Sequence, residues 1–528
     1  MTYNILITDP LSEEGIHPLL TAENISVTIE TGLTNEELLE KIGHYDALLV
    51  RSQTQVTREV LEHGKKLKVV GRAGVGVDNI DLDAATERGI IVVNAPDGNT
   101  NSAAEHTIAM LMSLARKIPQ AYNSLKQKKW DRKSFVGVEL KGKTLGIVGL
   151  GRIGAEVAYR AKGQRLKVLA YDPFLTEEKA KEMGIKSASL DEVLKQADFI
   201  TVHTPLLKST KHLINKEAFE KMKPGVQIIN CARGGIIDED ALYHAILEKK
   251  VAGAALDVFE EEPIQNFALL ELPEVIATPH LGASTIEAQE NVAIDVSHDV
   301  LNILNGGLPK NPVNLPALPA EVMNKIRPYF NLSEKLGSFV AHLVEEPIQE
   351  VTVYFAGELA NMDVSPLTRN TVKGMLKLHL GEHVNDVNAT YFANKKGITV
   401  NEQKTSSSKG FLNLVTVEVK TKSKKVTVAG TQLNGLGIRI VKVDTYSIDV
   451  EPKGNLILIR HKDQPGAIGR VGSLLATFNV NIATMQVGRS DVGGDAIMML
   501  TVDRPTEEHV INELKQLEDI FYVKPIEL

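Results

Sequence analysis

Thr144-Leu-Gly-Ile-Val-Gly-Leu-Gly-Arg-Ile-Gly-Ala155 decides the fold of this chain. Leu145 to Val148 is an apolar run with the length of a buried parallel strand, and Ala155 to Ala161 continues as a helix. Between them Gly149, Gly151 and Gly154 give G-x-G-x-x-G. The first glycine serves a tight turn, the second lets backbone approach a pyrophosphate, and the third lets the helix lie close on the strand. Phosphates would sit on the free N–H groups at the helix start. A second apolar strand, Val168 to Tyr171, ends at Asp172. That carboxylate can accept hydrogen bonds from ribose hydroxyls and would repel a 2′-phosphate, so the stretch predicts NAD rather than NADP.

The alternation of strand and helix continues on both sides of this unit. Before it, residues 3–8, Asp46–Arg51, Lys68–Arg72 and Ile90–Asn94 read as strands, with helices over Asn35–Ile42 and Leu82–Glu87. They predict a separate parallel sheet. Asn101–Lys117 is apolar at helical spacing and carries the chain across. After Asp172, strands are expected at Phe199–His203, Val226–Asn230, Gly253–Asp257 and Val275–Thr278, each ending in a polar residue. In open α/β sheets ligands bind beyond the carboxyl ends of the strands, so these ends converge on one crevice. The helix Thr285–Leu304 then returns to the first domain.

Pro309-Lys-Asn-Pro-Val-Asn-Leu-Pro-Ala-Leu-Pro319 reads as a stiff linker. An α+β segment follows over 320–450, with helices near Asn331–Leu343 and Asn370–Leu380 and strands at Leu414–Val419 and Lys425–Ala429. From Asn455 the order is β-α-β-β-α-β, the ferredoxin-like arrangement. The expected division is 1–97 with 286–310, 98–285, 320–450 and 455–528. At 528 residues, several cores are required. A net charge of −8 and the absence of a long apolar run advertise neither nucleic acid nor membrane. The single cysteine, Cys231, and a start that enters a strand at once fit a cytoplasmic protein.

Three motifs follow successive strands: Asn230-Cys-Ala-Arg233-Gly-Gly, Asp257-Val-Phe-Glu-Glu-Glu262-Pro263 and Thr278-Pro-His280-Leu-Gly-Ala-Ser284. Hydride transfer from a hydroxy acid needs such a set. An arginine can hold the substrate carboxylate, a histidine can move the hydroxyl proton, and a carboxylate behind the imidazole orients it. Taken singly, Arg233, Glu262 and His280 read as a bridging cation, a loop acid and a surface histidine; their places at neighbouring strand ends give them a joint meaning. Arg51 and Arg72, near strand ends of the first domain, suit a phosphate. Cys231 has no activating histidine nearby and reads as a small buried residue. No Cys, His or acid spacing supports a metal site.

These motifs resemble those of the D-isomer-specific 2-hydroxyacid dehydrogenases. Val50-Arg-Ser52, Val70-Gly-Arg-Ala-Gly-Val-Gly-Val-Asp-Asn79 and Asn94-Ala-Pro-Asp-Gly-Asn99 are similar to that family too, and the resemblance covers the whole chain. It implies a Rossmann-type NAD domain plus a smaller α/β substrate domain, followed by an α+β intervening domain and a ferredoxin-like ACT domain. It assigns the substrate carboxylate to Arg233, acid/base work to His280, and support of the imidazole to Glu262. NAD contacts would come from Gly149, Gly151, Arg152, Ile153, Gly154, Asp172, Thr204, Cys231, Ala232, Asp257, Gly282 and Ala283. Arg51, Ser52, Arg72, Gly74, Val75 and Asn99 would line the substrate side.

Among similar enzymes, the long forms oxidise 3-phosphoglycerate to 3-phosphohydroxypyruvate, the entry to serine synthesis. Arg460-His461-Lys-Asp463-Gln-Pro-Gly466 and Asn479-Val-Asn481-Ile resemble an ACT domain, which binds amino acids at paired interfaces. Asp463 and Asn481 would hold the effector, L-serine, in a homo-oligomer expected to be a tetramer. The run Lys126-Gln-Lys-Lys-Trp-Asp-Arg-Lys133 is a solvated basic face by composition, while similar enzymes point Arg132 at a neighbouring subunit's cleft. Two other readings stay open: a glyoxylate or hydroxypyruvate reductase, and an NAD-sensing, corepressor-like binding protein. The long segment after Leu304 and the arginine pair count against them.

Overall fold

A computed structural model describes residues 2–528. Five parallel strands, β1 (Tyr3–Ile7), β2 (Ile25–Ile29), β3 (Ala47–Val50), β4 (Val69–Arg72) and β5 (Ile91–Asn94), form the first sheet in the order β2-β1-β3-β4-β5. Strand β3 throughout, and β4 up to Arg72, are apolar and buried on both faces because helices cover both. The returning helix Ile286–Leu304 supplies Val292, Val296, Val300 and Leu304 to one face. Strand β2 and the helix Glu13–Leu20 escape a reading by pattern. Ile25-Ser-Val-Thr-Ile29 is a partly exposed edge strand, and the helix is short and contains Pro18.

Seven parallel strands make the second sheet: β6 (Thr144–Val148), β7 (Lys167–Tyr171), β8 (Lys186–Ser187), β9 (Phe199–Val202), β10 (Val226–Asn230), β11 (Val251–Leu256) and β12 (Val275–Ala277). Their order is β12-β11-β10-β9-β6-β7-β8. The chain reverses direction across the sheet between β6 and β9, which is where a doubly wound sheet opens its crevice. The helix Thr100–Arg116 crosses from the first domain and packs beside this sheet, burying Ala104, Leu111 and Leu114.

The proline-rich segment is partly docked rather than a free spacer. Val313 N–H donates to Val92 O at 2.7 Å, and Pro312 bridges to Val93. The Asn314 amide accepts from Val92 N–H and donates to Ile90 O. One side chain thus satisfies two backbone groups on the open edge of β5. The piece returning to the first domain extends past residue 310 for that reason.

A third sheet contains β13 (Glu350–Gly357), β14 (Thr399–Thr405), β15 (Asn413–Lys420), β16 (Lys425–Leu433), β17 (Gly437–Val443) and β18 (Tyr446–Val450). Its order is β14-β13-β15-β16-β17-β18, with β13 and β14 parallel and the remaining pairs antiparallel. Helices Phe330–Leu343 and Ser365–Leu380 pack on each other through Gly337 and Gly374. A Cβ at either would lie within 2.0 Å of the opposite helix's backbone oxygen. The fourth sheet pairs β19 (Asn455–Lys462), β20 (Ile482–Arg489), β21 (Asp495–Val502) and β22 (Ile520–Glu527) in the ferredoxin-like order β20-β21-β19-β22. Ile457, Ile459 and Leu500 face its own two helices. Leu456, Leu458, Ile497, Met499 and Ile526 face the other way and belong to the core of the third unit.

The third unit also touches the first domain. Lys395 pairs with Glu87 at 2.9 Å, and Asn385 donates to Gly89 O at 2.8 Å. Hydrogen bonds from Lys395 and Arg58 hold the Glu87 carboxyl at about 2. Among the described residues, no helix is long and apolar enough to cross a membrane.

Candidate active site

The glycine stretch builds a surface for a dinucleotide. Gly149 adopts φ +96°, and a Cβ there would sit 2.8 Å from the His203 carbonyl. A Cβ on Gly154 would lie 2.2 Å from Gly149 O. Around Gly151 a Cβ would meet nothing, so the loop presents bare backbone outward at the start of helix Arg152–Gly163. Asp172 accepts from Leu150 N–H and Phe174 N–H, both at 2.8 Å, which pins its carboxylate beside the loop. The Thr204 hydroxyl is buried next to Gly149 with no protein partner. Open backbone, helix terminus, fixed acid and unpartnered hydroxyl all suit NAD. Ile153 is half-buried behind them, and exposed Arg152 reaches across the cleft to Asp97 at 2.6 Å. Burial pushes His203 down to about 4, so it stands neutral below the loop.

Strands β10, β11 and β12 deliver the reacting groups. Asn230 ends β10, and its side chain binds Arg233 O at 2.9 Å and Ala232 N–H at 3.1 Å, shaping the Cys231–Arg233 turn. Burial, with the Asp257 charge adding to it, pushes the Cys231 thiol far up, so it is inert. Asp257 directly follows β11 and is fully buried. It accepts from Leu281 N–H (2.7 Å), Gly282 N–H (2.8 Å) and the Thr278 hydroxyl (2.6 Å). The turn wrapped on this carboxylate carries His280 at φ +53°. A left-handed conformation costs a non-glycine residue about 1–3 kcal/mol, which these bonds offset. Gly282 is buried against Asp257, and Ala283 is half-buried after it.

His280 Nδ1 lies 2.7 Å from Glu262 Oε2, and Glu262 Oε1 accepts from Phe259 N–H. Burial raises the Glu262 carboxyl, yet hydrogen bonds from His280 and Phe259 outweigh it and leave the group low and anionic. An anionic acceptor fixes the hydrogen on Nδ1 and leaves Nε2 as the working nitrogen. The pair is accessible, with side chains 47% and 37% exposed.

Arg233 stands close enough to act on Glu262, and two further guanidiniums cluster with it. Arg233 Nε binds Asp78 at 3.0 Å, and Arg51 and Arg72 stand close enough to act on one another. Burial, then the charges of Arg233 and Arg51, lower Arg72 to about 10; it stays protonated at neutral pH. Burial also lowers Arg51. Crowded like charges of this kind call for an anion. Ser52 is exposed beside Arg51, Gly74 is buried under Arg72, and Asn94 Nδ2 donates to Val75 O at 2.5 Å. Asn99 Oδ1 is buried and unpartnered at the start of the crossing helix.

Several supporting residues carry no motif of their own. Asp9 takes the backbone N–H groups of Arg51 (2.6 Å), Gln53 and Thr54, and Asn79 donates to Arg51 O and Thr54 O. The sign available in the sequence is that Asp9 follows a strand and Asn79 ends V-D-N. Gly76 leaves room for Arg233: a Cβ would fall 1.9 Å from Nη2. Gly76→Ala is therefore expected to push Arg233 off its place and raise the substrate KM by about tenfold, the scale of one charge-assisted hydrogen bond. Steady-state kinetics checks this, and an unchanged KM would count against the placement of Arg233.

Asp463 and Asn481 are not brought together in one chain. Asp463 follows Lys462, which pairs with Asp495; Asn481 precedes Ile482, which pairs with Val502. The length of β21, roughly 23 Å at ~3.3 Å per residue, separates them. Asp463 binds Arg489 at 3.0 Å, and Asn481 binds Asp503 at 2.8 Å. A ligand touching both needs a second copy alongside.

Residues 108–282 match the family model "D-isomer specific 2-hydroxyacid dehydrogenase, NAD binding domain". Fold and site thus define the class, an NAD-dependent 2-hydroxyacid dehydrogenase. Residues 325–444 match the D-3-phosphoglycerate dehydrogenase intervening domain, and 455–519 match the ACT domain. The chain is 48% identical over 526 residues to D-3-phosphoglycerate dehydrogenase of Bacillus subtilis (100% of both chains). It is 46% identical over 527 residues to that of Archaeoglobus fulgidus (99% of this chain, 100% of the relative). Among solved structures, D-lactate dehydrogenase from Aquifex aeolicus, complexed with NAD and lactic acid, superposes with TM-score 0.54 at 32% identity, covering 60% of this chain and 100% of that one. The chain belongs to the D-3-phosphoglycerate dehydrogenase family.

Proposed function

We propose that this protein oxidises 3-phospho-D-glycerate to 3-phosphohydroxypyruvate with NAD, the first step of L-serine synthesis. The observation that carries this reading is the cluster of Arg51, Arg72 and Arg233, joined to the His280–Glu262 pair through Arg233. A phosphorylated hydroxy acid brings two anionic ends, and this cleft offers more cations than a carboxylate alone requires. Arg233 holds the carboxylate, and Arg51 and Arg72 hold the phosphate. His280 Nε2 takes the C2 hydroxyl proton while Glu262 stabilises the imidazolium that forms. Bound NAD supplies the acceptor for the C2 hydride. Catalysis is the work of Arg233, Glu262 and His280.

The working form is a homo-oligomer, and we take it as a tetramer. The helix Ile118–Lys126 buries none of its residues, yet it carries Ile118, Tyr122 and Leu125 at helical spacing, near the 82%-exposed Trp130. Such a row suits a second copy, with Arg132 aimed at the neighbour's cleft. L-serine binds between paired ACT domains, bridging Asp463 of one copy and Asn481 of the next. A reducing, cytoplasmic setting suits the lone buried thiol.

Steady-state NADH production from NAD and 3-phosphoglycerate, with and without L-serine, tests the reading. The expected outcome is turnover that falls as serine is added. Turnover of glyoxylate without turnover of phosphoglycerate would overturn the substrate assignment. Turnover indifferent to serine would remove the effector.

A further inference from the structure

The crossing helix Thr100–Arg116 sets one side chain against the catalytic turn from behind. His106 Nε2 lies 3.2 Å from Asp257 Oδ1 and 3.1 Å from Thr278 Oγ1. The Thr278 hydroxyl has one proton, and its 2.6 Å contact with Asp257 Oδ1 uses it. Toward His106 the threonine oxygen can then only accept. Both neighbours of Nε2 are acceptors, so Nε2 carries hydrogen and shares it between them.

Asp257 thus receives a fourth donor, besides Leu281 N–H, Gly282 N–H and the Thr278 hydroxyl. A buried carboxylate needs such compensation. Three of its four donors lie in the turn that carries His280, whose own N–H donates to Asp257 O at 2.9 Å. The fourth comes from a separate element and braces the whole set from outside. We propose that His106 is a positioning residue of this reaction. It fixes the Asp257 carboxylate and, through the 278–282 turn, the aim of His280 at the substrate hydroxyl. It acts through Asp257 rather than on the reacting atoms, and the inference rests on the oxidation proposed above.

The test compares full-length wild type, His106→Leu and His106→Gln at saturating NAD and 3-phosphoglycerate. Glutamine can place an amide N–H where imidazole Nε2 stands; leucine keeps bulk without a donor. His106→Leu is expected to lose about tenfold or more of kcat with KM within about threefold, since small misplacements of a catalytic group cost rate. His106→Gln is expected to recover most of that loss. If leucine prevents folding, His106→Asn, whose amide stops short of Asp257, takes its place. A leucine variant (or the asparagine variant standing in for it) within about twofold of wild-type kcat, or a glutamine variant no better than it, overturns the inference. A wild type that makes no NADH overturns the reading of function instead.

Discussion

Replacing His280 by alanine is expected to lower kcat by about 10² or more, with NAD affinity nearly unchanged. The reason lies in how few groups could stand in. Nδ1 is committed to Glu262 at 2.7 Å, so Nε2 is the base, while the imidazole of His203 lies half-buried against the glycine loop and is held neutral by desolvation. Cys231 is held as a neutral thiol by burial. Alanine also prefers the right-handed region, so the turn at φ +53° loses its fit along with its base. Stopped-flow turnover beside NAD titration by protein fluorescence separates the two effects. Undiminished turnover would remove His280 from the chemistry.

Replacing Arg51 by alanine is expected to raise KM for phosphoglycerate by roughly 10–100-fold, the scale of a lost charge-assisted contact, and to leave an unphosphorylated hydroxy acid little affected. Arg51 is positioned from two sides: its N–H binds Asp9 and its carbonyl accepts from Asn79, so its backbone should survive truncation of the side chain. Equal losses with both substrates would show that Arg51 does not select the phosphate.

The nucleotide unit was readable because its constraints are local. The Gly149–Gly154 loop, the strand before it and Asp172 after it each state a backbone requirement within one short stretch. Arg233, Glu262 and His280 were legible one level up, through their places after consecutive strands of a parallel sheet. Asp9, Asn79 and Gly76 were not, because their work is done across the fold: Asp9 meets residues more than forty positions away. The separation of Asp463 and Asn481 depends on sheet register, which no spacing along the chain encodes. Edge strand β2 was hidden because an exposed edge does not need a continuous apolar run.

The fourth sheet spends one face on the third unit, through Leu456, Leu458, Ile497, Met499 and Ile526. The C-terminal module is therefore separable in sequence but not in thermodynamics. A chain cut ahead of Asn455 would not release an intact third domain; it would leave one with a dry interior laid open to water. Exchange of such a module between relatives has to carry residues 320–450 with it, so the two would be inherited, and would melt, together.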